Sequence, residues 1–298
     1  MNTTRLSVTR KYVGFLRLLI LVSAILSIAV VTSSCSTIEE ITRLYQKDRY
    51  DPEHPGKSCE QCDLRYKDFS KIDLSGANFK GAYLFNVKFN RGNLVDTNFE
   101  SATLVYVDFV RVDLSHANLQ KADLTRASMY GATLRDADLR FANLREADLE
   151  AVELTDANLT TASLEGAKLT NAFANRASFR SANLRGANLS GINLFNANLE
   201  GADLTRANLS GANLTRANLQ GARLRGANLT GAIIDYTTLI DADLYRANLA
   251  GAHINGANLK RADFNRANLT GAEVSSVLKT GTSFCQAIMP DGEIGRCP

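Results

Sequence analysis

The sequence predicts an all-β solenoid in which short extended segments wind around one continuous apolar core. Three observations carry that expectation. From Leu64 to Val274 every fifth residue is Leu, Phe, Ile, Val or Met, with Ala174 the one exception and the phase never interrupted. Two residues ahead of each stands a small residue, usually Ala, as in Ala202-Asp203-Leu204 and Ala207-Asn208-Leu209. A period of five fits neither the helical 3.6 nor the strand 2, so neither an amphipathic helix nor an alternating strand is the unit, whereas a fixed short repeat is the mark of a solenoid.

If each pentad forms one side of a coil, the apolar residue and the small residue two before it point inward and the other three point out. Four sides then close a square coil on which the next can stack. Asn, Asp and Gly at the outward positions suit the turns between sides. The tandem A-(D/N)-L-x-x motif, as in Ala207-Asn208-Leu209-Ser210-Gly211, resembles the pentapeptide-repeat family over about 70% of the chain. That resemblance implies a right-handed quadrilateral parallel β-helix. At the usual strand spacing, four pentads per coil make about eleven coils and a rod roughly 50 Å long. Each inward Leu or Phe contributes roughly 1.5 to 3 kcal/mol of transfer energy, so the core needs no cofactor.

The elements in order are a leader over 1–34, a linker or short capping helix over 35–58, the repeat domain over 59–277 and an irregular C-terminal cap over 278–298. Met1 to Arg17 carry four basic residues and no acid, and Leu18 to Val31 are apolar or small, the pattern of a signal peptide. Val31-Thr32-Ser33-Ser34-Cys35 is similar to a bacterial lipoprotein processing site, although Thr32 stands where that motif favours an aliphatic residue. Three fates stay open. Cys35 becomes a lipid-bearing N-terminus, the general signal peptidase cleaves the segment, or it persists as an anchor. Each implies an exported protein on the periplasmic or envelope side, membrane-associated in the first and third cases, with a soluble lumenal or secreted form as the alternative. Ile38, Ile41, Leu44 and Tyr45 sit at helical spacing ahead of Pro52 and Pro55, so a short helix there can cap the rod.

Beyond Cys35 the cysteines are Cys59, Cys62, Cys285 and Cys297. In an exported protein they read as disulfides. A bond needs Cα atoms within about 7 Å, so the length of the rod leaves Cys59 with Cys62 and Cys285 with Cys297. A redox or half-zinc reading of Cys59-Glu60-Gln61-Cys62 lacks a second ligand pair nearby. His116 and His253 fall seven coils apart and cannot share a metal or a proton, and the many Asp residues stand wherever the repeat accepts Asp or Asn. No catalytic, cofactor or metal residue is therefore assigned.

Charge narrows the partners. The chain has 34 Lys and Arg against 31 Asp and Glu, and removing the four basic residues before Cys35 leaves 30 against 31. The family's DNA-mimicking gyrase inhibitors are strongly acidic cytoplasmic rods, so no nucleic-acid role is expected for this near-neutral chain. The side built on Leu124, Leu144, Leu184, Leu204, Leu224, Leu244 and Phe264 displays Arg126, Arg145, Arg185, Arg206, Arg223, Arg225, Arg246 and Arg266, with Tyr66, Phe85 and Tyr106 toward its start. It also carries Asp123, Glu146, Glu165, Asp203, Asp243 and Asp263, the composition of a solvated, ion-paired face. The expected function is a non-enzymatic exported structural or protein-interaction module. The alternative is binding of lipid head groups or glycans through the arginine-bearing side. Nothing in the sequence names a protein partner or an oligomeric state.

Overall fold

A computed structural model describes residues 58–297. The leader, the lipidation candidate Cys35 and the expected capping helix lie outside the described residues. Within them the backbone winds as a parallel β-helix with four five-residue sides per coil. Each outward Asn, Asp or equivalent bridges in parallel to the residue twenty positions later, from Ser58↔Asn78 to Asn268↔Ile288. Among the described residues only β1 (His253–Asn255) and β2 (Glu273–Ser275) are long enough to count as strands, and they pair in parallel as His253↔Glu273, Ile254↔Val274 and Asn255↔Ser275.

Why the pentad has this composition follows from where its five backbone N–H groups go. In the pentad around Leu64, Leu64 N–H donates to Tyr83 O (3.0 Å) and Tyr66 N–H to Phe85 O (3.0 Å), both in the next coil. Lys67 N–H closes a turn on Leu64 O (3.2 Å), and Lys88 N–H reaches back to Lys67 O (2.9 Å). That leaves the residue after the Leu without a backbone acceptor. The Asn or Asp before the Leu supplies one from its side chain, as in Glu100 N–H to Asn98 Oδ1 (3.0 Å) and Thr215 N–H to Asn213 Oδ1 (3.1 Å). The preference for Asn and Asp thus completes the backbone hydrogen bonding of each side.

The second turn residue is left-handed throughout. Thirty-one non-glycine residues there have positive φ, among them Tyr66 (64°), Phe141 (62°) and Thr161 (59°), so stacking between coils imposes this conformation on residues that disfavour it. The inward positions form one core from Cys59 to Ala287. Its N-terminal part is lined by Phe rings stacked coil on coil, Phe69 on Phe89 (5.5 Å), Phe89 on Phe109 (5.4 Å) and Phe79 on Phe99 (5.3 Å). Further along, Leu replaces Phe. Ala174, the one small central residue, shares its coil with Phe179, a local exchange of volume that keeps the core filled. Thr97 and Thr237 take the small inward position, and their buried hydroxyls donate to Leu74 O (3.2 Å) and Leu214 O (2.7 Å).

The two ends of the repeat are built differently. Cys59 takes the central inward position one side before Leu64 and Cys62 the small inward position of Leu64's own side, and they are buried at 4% and 1% exposure, so the pair is part of the core lining of the first described coil. At the other end the coil path runs past 277, because Leu278, Ser283 and Ile288 still bridge to the coil before them. Bridging of this kind uses only backbone groups, so Lys279 interrupts the apolar lining without ending the coil. The chain then folds back, with Ile288 bridging Ile294 antiparallel and Gly295 N–H donating to Ala287 O (2.8 Å). An apolar chamber of about 350 Å³ lies there, lined by Leu259, Val277, Phe284 and Met289 among others.

Candidate functional site

The arginine side divides into two halves of different chemistry. In the N-terminal half the guanidiniums are engaged. Arg126 bonds Glu146 Oε2 (2.7 Å) and the Tyr106 hydroxyl (2.7 Å), and Arg145 pairs with Glu165 (3.0 Å). Across the boundary between the halves, Arg185 and Arg223 share Asp203 at 3.5 and 3.2 Å. Burial of Asp203 favours its neutral form, but the Thr205 hydroxyl and amide and then the two guanidiniums outweigh it, holding the carboxyl below the usual range. Tyr66, Phe85 and Tyr106 make an edge-to-face row with centroids 5.5 and 5.7 Å apart.

In the C-terminal half the arginines gather around one ring that sequence reasoning did not single out. Tyr245 lies under Arg225, Arg246 and Arg266, whose guanidinium carbons stand 4.9, 5.3 and 5.9 Å from its centroid, within cation–π range. Arg225 retains a carboxylate partner, Asp243 at 3.4 Å, whereas Arg266 bonds the neutral Gln286 Oε1 at 2.8 Å. Arg206 and Arg246 have no carboxylate partner among the described residues. Both line a hollow of about 260 Å³ with Thr205, Arg225, Gly226 and Tyr245. Gly226, at φ 63°, leaves this corner of the coil without a side chain between Arg206 and Arg246. The twenty-residue period was the available signal, since Tyr245 falls one coil after Arg225 at the same pentad position.

The remaining assigned residues are placed as follows. Cys59 and Cys62 have Cα atoms 5.2 Å apart and Cys285 and Cys297 4.3 Å apart, each pair joined by an S–S bond. His253 meets Glu273 at 2.9 Å, while His116 is on the same side seven coils earlier. No cluster of His, Cys, Asp or Glu among the described residues is arranged to hold a metal ion, and no helix among them is long and apolar enough to cross a membrane.

Comparison with known proteins agrees with the repeat. The family model for pentapeptide repeats matches in 8 copies, over residues 58–91, 93–129, 127–166, 157–194, 192–231 and 242–277. Among solved structures, HetL, a pentapeptide repeat protein involved in heterocyst differentiation regulation from the cyanobacterium Nostoc sp. strain PCC 7120, is 30% identical. That alignment covers 87% of this chain and 100% of HetL, at a TM-score of 0.40. QnrB1, a plasmid-mediated fluoroquinolone resistance protein, is 19% identical over 76% of this chain and 90% of its own, at 0.29. Rfr23 from the cyanobacterium Cyanothece 51142 is 23% identical over 64% and 94%, at 0.17. No curated protein matches the chain.

Proposed function

Since the chain belongs to the pentapeptide-repeat family, whose coils are right-handed, we propose that it is a non-enzymatic, exported module for protein interaction, tethered to the membrane through its N-terminus. The repeat consumes its inward side chains and backbone groups internally, so what selection can vary is the lateral surface. One side of that surface carries the reading. Phe173, Ile233 and Tyr236, with exposures of 49%, 37% and 64%, make a spaced apolar row along one side together with Phe195, on which Arg216 rests 6.0 Å from the ring centroid, with Asn193 and Asn213 standing between Phe173 and Ile233. Exposed Phe and Tyr on a rigid scaffold are the residue types that dominate protein-interface energetics, and nothing in the packing of the rod requires them to face outward. Export and tethering rest on the basic and apolar leader and on Cys35 as the lipid acceptor, with a soluble envelope protein as the alternative fate.

The test separates the two parts. Crosslinking and affinity capture from envelope membranes should recover a specific protein with the wild-type chain and lose it with Phe173→Ser combined with Tyr236→Ser. Equal recovery by that variant removes the apolar row from the interface. Fractionation of a Cys35→Ser variant should move the protein out of the membrane fraction. Unchanged partition shows that Cys35 does not anchor it.

A further inference from the structure

A different side of the rod carries a second ligand class. Immediately after the arginine corner comes a side with no ionisable residue over five consecutive coils, 187–191, 207–211, 227–231, 247–251 and 267–271. Its outward residues are Asn, Ser, Thr, Ala and Gly only. Along it runs an amide ladder, Asn208 Nδ2 to Asn188 Oδ1 (3.0 Å), Asn228 to Asn208 (3.0 Å) and Asn268 to Asn248 (3.1 Å), with one step relayed by a hydroxyl, where Asn248 Nδ2 donates to Thr230 Oγ1 (3.0 Å). Each amide nitrogen has two N–H donors and the ladder uses one. The face is thus flat, uncharged and rich in hydrogen-bonding groups, and it is bordered along one edge by Arg206, Arg246 and Arg266, with Tyr245 beneath Arg246 and Arg266.

We propose that this edge and face together bind a linear acidic polysaccharide lying along the rod axis, its acid groups on Arg206, Arg246 and Arg266 and its hydroxyls on the asparagine ladder. The guanidinium fork matches carboxylate and sulfate oxygens, and Arg206 and Arg246 hold no carboxylate that the ligand must displace. The hollow over Gly226 admits one acid group between them. From Arg206 to Arg266 is three coils, about 14 Å, too long for a single small oxyanion and suited to a repeating one. The amide face adds what a lipid surface does not ask for, a row of donors and acceptors of the kind that hydroxyls pair with. This site shares no residue with the apolar row, so either reading can fail alone.

Heparin as the acidic glycan, dextran as its neutral counterpart, inorganic sulfate and phosphatidylglycerol vesicles are the probes, applied to the full-length chain over a salt series. Heparin should bind and dextran should not. Arg206→Gln with Arg246→Gln should weaken heparin about tenfold or more and lower the slope of log affinity against log salt by about one to two. Arg126→Gln with Arg145→Gln, in the ion-paired half, should change little, and circular dichroism should show all variants folded. No retention of heparin at low salt overturns the proposal, as does an equal loss from the control pair. Sulfate competing as well as heparin at equal sulfate concentration reduces the site to a single oxyanion and rejects the polymer. Vesicle binding that depends on Arg206 and Arg246 as heparin binding does assigns the edge to lipid and rejects the glycan.

Discussion

At the scale of single residues, the molecule separates what side chains must do from where the backbone forces them to sit. Gly251 has positive φ, and a Cβ placed on it would meet nothing within 4 Å. Its cost on substitution is therefore conformational and not steric. Gly251→Val should destabilise by about 1 to 2 kcal/mol, the expense of a left-handed β-branched residue, while Ala250→Val, one residue earlier in the same turn, should stay within about 0.5 kcal/mol. Urea denaturation of the two variants decides the matter, and equal shifts would show that the turn is not left-handed at 251. The same reasoning explains why Thr161 and Phe141 are tolerated at such positions. Neighbouring coils hold each turn from above and below, so the strain is spread through a stack that no local rearrangement can relieve.

At the scale of the pentad, the position before the central Leu joins two kinds of bond. Asn208 Oδ1 accepts from Ser210 N–H (3.2 Å) and from Asn228 Nδ2 (3.0 Å), and its own amide donates to Asn188. Asn208→Ala should cost about 1 to 3 kcal/mol by calorimetry, one or more lost hydrogen bonds at roughly 1 kcal/mol each. Asn208→Asp keeps the acceptor but loses the donor to Asn188 and should fall between wild type and Ala. If Asp proved worse than Ala, repulsion within the ladder would outweigh the acceptor. Where the repeat places Phe173 or Ile233 at this position, no side-chain oxygen is present, and these are two of the residues in the exposed apolar row. The sides that give up the local bond are thus the ones that carry outward character of another kind.

At the scale of the whole rod, the ends decide whether it stays single. A parallel β-helix ends in unpaired backbone and open core, an invitation to edge pairing. Where the described residues begin, the Cys59–Cys62 pair is seated within the core. The C-terminal coil, by contrast, leaves Val274, which lines the apolar chamber, at 39% exposure, with Leu278 and Ile294 at 53% and 61% on the coil and the fold-back. The fold-back over that coil is held by Cys285–Cys297, a link across 12 residues worth about 3 kcal/mol on chain-entropy grounds. Cys285→Ser should therefore raise end-to-end association, seen as larger species by light scattering at rising concentration, with little change in the melting of the central coils. A variant that stays monomeric throughout would show that the fold-back covers the end without the bond.

The five-residue beat by itself determined the inward set from Leu64 to Val274 and, with the four sides per coil that the family resemblance implies, the coil count and the side on which each outward residue falls. It could do so because one unbroken period converts residue number directly into position on a square coil. The same arithmetic left only two cysteine pairings within reach. Tertiary structure decided what a count cannot: that Cys59 and Cys62 sit inside the core, that bridging continues through the Lys279 coil, and that nearly balanced charges on the arginine side are unevenly paired. Whether Arg246 meets a carboxylate or the ring of Tyr245 depends on side-chain reach between stacked coils, a distance of a few ångströms in which acids and bases one position apart are not equivalent. Composition gives the number of charges on a face, and only their geometry says which of them are left for a ligand.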